Sequence, residues 1–238
     1  MTLLRPRSSF ERSRAGPPAL ERGVRRPPPL QPPTSATGVS LHEIIAAAAD
    51  GELPRWACFS DTRYAHMERV AALLDSWAVD MGLVERERAR WRAAGFLHDA
   101  VKGIEGDELR RWLGAEAEGI ADPVLHGPAA AVRLRQEGID DESLLGAVAW
   151  HTLGDVSLDR LGRMLYIADF LEPGRDLRNE WRAELRARVP DDWPSVLREI
   201  VAARINYLVG RERRVHTRTL SFWNSMVEGE AWARASEV

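Results

Sequence analysis

Histidines occupy positions 42, 66, 98, 126, 151 and 216 of the 238-residue chain, and one of them, His98, is followed directly by Asp99. Imidazoles combined with carboxylates are the donor set that divalent first-row metals prefer. Helical periodicity turns several of these groups inward. His66 is in line with Val70, Leu73 and Trp77. His98 follows Trp91 and Ala94 at i+7 and i+4, and His151 follows Leu144 and Val148 at i+7 and i+3. Asp169 continues the row Leu158, Leu161, Leu165. A lone inward histidine is more often a core residue bonded to a carbonyl, and a lone inward aspartate more often caps a helix or pairs with an arginine. Together they are harder to explain that way. Asp99 and Asp169 near a core require compensating charge, because an unpaired buried carboxylate is costly. Helices can converge such groups around metal, as in carboxylate-bridged bundles.

A second chemical oddity lies beside them. Lys102, in "FLHDAVKG" (96–103), is the only lysine among 33 basic residues. A coding bias toward arginine accounts for the other 32 without any function, and it makes the position of Lys102 stand out.

The elements that must position these residues read as helical from Ser40 onward. "SLHE" has the form of a capping box, with Ser40 as N-cap and Glu43 three residues later. Helices are expected over about 60–82, 83–103, 106–113, 128–137, 141–152, 158–171, 176–188, 191–209 and 217–231. Pro128 suits the first turn of its helix. No alternating run reads as a strand, no repeat is visible and no Gly-rich phosphate loop occurs. The expected fold class is all-α: a single helical-bundle domain over 39–232, behind a disordered Arg/Pro-rich extension over 1–38. Residues 1–35 carry eight of the 14 prolines and seven arginines against two glutamates, too little apolar surface to offset chain ordering.

Composition narrows the function classes. No apolar run is long enough to span a bilayer, and the N-terminus lacks the h-region of a signal peptide. The lone Cys58 excludes an internal disulfide and fits a reducing, cytoplasmic setting; it receives no role. Outside the basic extension the body is net acidic, which argues against nucleic acid as a partner. No Ser or Cys nucleophile is evident. The oligomeric state is not legible.

The ordered words "RYAHMERV", "FLHDAVK", "LHGPAAA", "AWHTLG" and "YIADFLEPGR" resemble the successive motifs of the HD superfamily of metal-dependent phosphohydrolases. Within it they look like the YqeK-type family, the symmetrical bis(5′-nucleosyl)-tetraphosphatases. The likeness covers about 56–176 and continues weakly to "VHTRTLSFWN". It implies an all-α HD-domain bundle holding two metal ions, iron first, with manganese, cobalt, nickel and zinc as alternatives. It implies hydrolysis of diadenosine tetraphosphate, or a related dinucleoside polyphosphate, to two ADP by a metal-bridged hydroxide. Carried onto this chain, His66, His98, Asp99 and Asp169 hold the first metal. Asp99 bridges, and His126 and His151 complete the second. The Arg/Pro-rich extension has no place in the family pattern. Two alternatives stay open: another HD-type nucleotide phosphohydrolase, and a non-catalytic nucleotide or RNA-associated regulator on the same scaffold.

In that setting Lys102 sits one helical turn beyond His98 and Asp99, if the helix runs on. Its compact ammonium suits a phosphate oxygen over the metals and the charge developing on a leaving ADP. Arginine, planar and longer, prefers a forked partner. Arg63 and Arg175 are further candidates for gripping phosphate, and Thr152 and Gly154 for approaching it with a hydroxyl and open backbone. Glu172 could orient a ligand histidine from behind. His216 either lines the pocket or caps its own helix. His42 is structural, and most of the nine tryptophans are core, with one free to stack on adenine. Replacing Lys102→Arg is expected to lower turnover while metal content, read by elemental analysis, stays intact.

Overall fold

The computed structural model describes residues 24–25, 41–174 and 179–235, with side chains described for 41–174 and 179–228. Among them the chain is helical nearly throughout. In order come β1 (Val24–Arg25), α1 (Glu43–Ala49), β2 (Phe59–Ser60), α2 (Asp61–Asp80), α3 (Glu85–Leu97) and α4 (Gly106–Leu113). Two 3₁₀ turns, Gly114–Ala117 and Asp122–Val124, lead to α5 (His126–Gln136), α6 (Glu142–Trp150), α7 (Arg160–Leu171), α8 (Asn179–Val209) and α9 (Thr217–Ala235). One feature was not expected. β1 pairs antiparallel with β2, Val24 opposite Ser60 and Arg25 opposite Phe59. A two-residue pairing carries no alternating pattern for a sequence to reveal. The rest of the 1–38 extension lies outside the described residues.

Helix starts follow local chemistry. The Ser60 hydroxyl accepts from Arg63 N at 3.2 Å and caps α2. The capping box expected from Ser40 does not start α1. That helix begins at Glu43, and His42 Nδ1 accepts from Ile44 N at 3.3 Å. Ser40 itself lies outside the described residues. The expected gap between 188 and 191 corresponds to a break in α8, where Asp192 leaves helical space (φ −141°, ψ 42°) between Pro190 and Pro194. Each proline removes a helical N–H donor and crowds the preceding turn.

The core runs through the middle of the bundle. α2 packs on α3 and α7, α1 on α3, α5 on α6, α6 on α7, and α7 on α8. Met67, Leu74, Leu97, Leu134, Leu165 and Ile167 are completely buried between them. Each is worth roughly 1.5–3 kcal/mol in burial. Two close approaches set the spacing of this stack. A Cβ on Gly95 of α3 would stand 2.6 Å from Ala71 Cα on α2. A Cβ on Gly127 of α5 would stand 2.6 Å from Ala149 O on α6. Only glycine lets these two helix pairs meet so closely.

The α6 start is tied to α3 by charge. Asp141 caps α6 through Leu144 N at 3.1 Å, and Arg90 grips the same carboxylate twice, each at 2.7 Å. Burial pushes the Asp141 carboxyl up, but the Arg90 guanidinium and the Leu144 N–H outweigh it and hold it below its ordinary value. A folded pKa below the unfolded one contributes stability above the unfolded value and loses it as pH falls through the folded one. Asp141→Asn is therefore expected to cost about 1 kcal/mol at neutral pH. In urea denaturation, the gap to the parent protein should close as pH drops from about 4 downward.

Candidate metal centre

Five elements deliver six side chains to one point. α2 brings His66, the end of α3 brings His98 and then Asp99, α5 opens with His126, the end of α6 brings His151, and α7 brings Asp169. All six are buried, none more than 8 % exposed. The two glycine contacts do the local positioning. Gly95 seats α3 on α2 and so sets His98 Nε2 3.3 Å from His66 Nε2. Gly127 seats α5 on α6, and His126 Nε2 lies 3.1 Å from His151 Nε2.

Asp99 stands between the two histidine pairs. Its Oδ2 lies 3.8 Å from His66 Nε2 and 3.5 Å from His98 Nε2. Its Oδ1 lies 3.0 Å from His126 Nε2 and 3.7 Å from His151 Nε2. Asp169 Oδ1 lies 3.2 Å from His66 Nε2, on the first side. Each carboxylate oxygen of Asp99 thus faces its own pair of imidazoles. His66, His98 and Asp169 form one group able to hold a metal ion, and His98, Asp99 and His151 form another.

The outer nitrogens of three rings are already committed. His98 Nδ1 donates to Gly95 O at 2.7 Å and His151 Nδ1 donates to Val148 O at 2.8 Å, each three residues back at a helix end. His66 Nδ1 faces Glu172 Oε1 at 3.3 Å. A ring that donates from Nδ1 offers a bare lone pair at Nε2. His98 and His151 therefore turn bare acceptors toward the centre, while His66 has a carboxylate at each nitrogen, Glu172 at Nδ1 and Asp169 at Nε2; burial lowers its pKa, but these two carboxylates prevail and raise it. Burial lowers the pKa of His98, and lowers that of His151 further with help from His98 and His126, so both rings are neutral at pH 7. Burial opposes ionisation of Asp99, yet the surrounding histidines hold it well below the usual carboxylate range. Neutral imidazoles and ionised carboxylates are what a divalent ion requires, so the residues fit one.

Glu172 links this layer to the outside. It is 3 % exposed, and beyond His66 it accepts from Arg69 Nε at 2.5 Å and Gly174 N at 2.8 Å. Burial pushes its carboxyl up, but the His66 and Arg69 hydrogen bonds prevail and lower it to about 2.

Lys102 reaches the centre by another route than expected. α3 stops at Leu97, and 98–104 continue in turns, with Ala100 N on Leu97 O, Lys102 N on Asp99 O and Ile104 N on Val101 O. Cys58 straps this turn with its backbone: its N–H donates to Ala100 O at 2.7 Å and its carbonyl accepts from Gly103 N at 2.8 Å. The Lys102 ammonium donates to Pro123 O at 2.9 Å and lies 3.0 Å from His126 Nδ1. Arg63 Nη1 donates to Asp99 Oδ2 at 2.6 Å.

These groups form the floor of a cleft of about 1160 Å³ that also takes in Thr152. Its far wall carries Phe170, Trp181, Arg204, Tyr207 and Arg211. The sequence reading did not name that wall. Arg204 and Tyr207 share one face of α8 and Arg211 stands in the turn after it, a signal lost in so arginine-rich a chain. Two expected substrate contacts lie away from the cleft. Gly154 is packed under Phe222 and presents no open backbone, its φ of +73° serving a turn. His216 caps α9, its Nδ1 accepting from Arg218 N at 3.1 Å. Arg175 lies outside the described residues.

The HD domain family model matches residues 63–174. The chain is 27% identical over 170 residues to the symmetrical bis(5′-nucleosyl)-tetraphosphatase of Staphylococcus aureus, spanning 69% of this chain and 86% of that protein. It is 24% identical to the Halalkalibacterium halodurans protein of the same name, over 63% and 83% of the two chains. Over residues 63–174 the chain is similar to the HD domain family. The crystal structure of a predicted HD superfamily hydrolase from Clostridium acetobutylicum shares the fold, with a TM-score of 0.62, 27% identity and coverage of 71% and 90%. The HD match spans all six converging residues and stops before α8 and α9. No helix of the described residues is long and apolar enough to cross a membrane.

Glu172 should matter to metal without touching it. Glu172→Ala is expected to weaken metal affinity about 10–100-fold, read by titrating the metal-free protein, while circular dichroism remains unchanged.

Proposed function

We propose that this HD domain hydrolyses diadenosine tetraphosphate, or a closely related dinucleoside polyphosphate, symmetrically to two ADP. The observation that carries the reading is Asp99, whose two oxygens face separate histidine pairs at the floor of a cleft lined with cations. Relatives bearing the name of that activity match most of this chain, and their names fit what the site can do.

Two divalent ions, iron first, would be held by His66, His98, Asp99 and Asp169 on one side and by Asp99, His126 and His151 on the other. When bound, such ions supply Lewis acidity and lower the pKa of water. The rest falls to the chain's own groups. A tetraphosphate brings dense negative charge, and Arg63, Lys102, Arg204 and Arg211 line its path through the cleft. Arg63 already reaches Asp99 Oδ2, so its guanidinium is within range of a phosphate placed over that carboxylate, where it can bind bidentately. Lys102 stands beside His126, on the other side. There its ammonium can neutralise charge appearing on the departing ADP as the anhydride P–O bond breaks. The Thr152 hydroxyl, on the lining of the cleft, would hydrogen-bond a non-bridging oxygen. Burial of the centre withholds bulk water, which strengthens each of these interactions.

The deciding experiment is product analysis with diadenosine tetraphosphate and iron, manganese or cobalt supplied. ADP as sole nucleotide product is expected. ATP with AMP, or faster turnover of a nucleoside monophosphate or deoxynucleoside triphosphate, would overturn the assignment. Asp99→Asn is expected to reduce kcat by at least about 10³-fold, with ADP release measured chromatographically.

A further inference from the structure

The segment "VHTRTLSFWN", 215–224, lies beyond the HD match and contributes no residue to the cleft floor. Its side chains converge elsewhere, on the loop that follows His151. Arg218 stacks its guanidinium 3.7 Å above the Trp150 ring and donates to Asp155. The Thr219 hydroxyl donates to Leu153 O at 2.7 Å. Phe222 presses on Gly154 and meets the Tyr166 ring edge-on at 5.7 Å. Four of the five residues 150–155 other than His151 itself are thus gripped from α9, and Thr152 is carried between them.

The Thr219 and Phe222 grips are built into the interior, while the Arg218 side chain is 35 % exposed. Asp155 is 6 % exposed, Thr219 is 6 % and Phe222 is completely buried. Asp155 also accepts from Ser157 N at 2.8 Å and Ser157 Oγ at 2.5 Å, which closes the loop on itself. Gly154 permits the arrangement because its positive φ and lack of a Cβ leave room for the Phe222 ring. Tyr166, on the other side of that ring, stands on α7 three residues before Asp169. Phe222 therefore lies against both the His151 loop and the helix that carries Asp169.

We infer that the first turns of α9 act as a positioning strap that fixes His151 and Thr152 over the centre. His98 has no need of such a device. The turn after it is strapped by Cys58, through two backbone hydrogen bonds. Among the described residues the loop after His151 makes no corresponding backbone bridge to another segment, and α9 supplies the restraint with side chains. The strap rests on the two-ion reading only for its metal readout, and its residues touch neither ion nor substrate.

The test uses the full chain and three variants. Thr219→Val removes the hydroxyl at nearly constant volume, Thr219→Ser keeps it, and Arg218→Ala removes the stacked guanidinium. Manganese titration by calorimetry is expected to give two equivalents for the parent protein and for Thr219→Ser. In Thr219→Val and Arg218→Ala, one equivalent should weaken at least tenfold and the other remain unaltered. In the metal-free protein, exchange of the His151 Nδ1 proton, seen by NMR, should accelerate at least tenfold in the same two variants while that of His98 is unaltered. Equal weakening of both equivalents, or loss of the fold in Thr219→Val, would reduce α9 to a general prop and overturn the inference. Parent-like exchange at His151 would overturn it as well. A parent protein that binds fewer than two equivalents would count against the two-ion reading alone, and the exchange measurement would still decide the strap.

Discussion

A carboxylate buried among four imidazoles is the constraint on which the rest of this molecule turns. Asp99 is 3 % exposed and ionised, and both of its oxygens are spoken for by histidine nitrogens within 3.8 Å. Such a group is tolerable in an apolar interior only when positive charge is held beside it. The geometry around it follows from that demand. Imidazoles enter from four elements, three of their far nitrogens are tied to carbonyls or to Glu172, and arginine and lysine stand at the rim. The bundle buries a large aliphatic core, and the spacing of its polar centre is set at Gly95 and Gly127, where backbone meets backbone.

Much of this was legible in the residues. Four donors, His66, His98, His151 and Asp169, stand on apolar helical rows that announced their burial, because a row such as Leu158, Leu161, Leu165 leaves Asp169 nowhere to point but inward. The order of motifs supplied the family. Helix ends were harder to read. The run from Glu85 to Gly103 has helical composition throughout, yet it turns into i→i+3 bonds after Leu97 because Cys58 competes for the backbone of Ala100 and Gly103. That competitor lies some forty residues away, so no local pattern reports it. Lys102 still reaches the centre, by a turn instead of a helical face.

Gly154 was misplaced for a related reason, and His216 proved to be the cap of its own helix. Gly154 was read as a neighbour of the site because it stands near the His151 motif in the sequence. Gly154 follows His151 by three residues, but its backbone turns away under an aromatic ring that comes from α9. His216 has a partner two residues along its own chain, and the ring spends its acceptor there. The far wall of the cleft was missed altogether. Its arginines are ordinary members of an arginine-rich chain until the fold lines them up.

The break in α8 at Asp192 leaves two separate rods, and both contribute to the cleft: Trp181 comes from the first and Tyr207 from the second. Every one of the six converging donors comes from the stretch before α8. The six donors and the α8 side of the cleft thus come from different parts of the polypeptide, joined by the chain that follows Glu172. Lengthening one rod or exchanging its rings would therefore redraw the mouth of the cleft and leave all six donors where they stand.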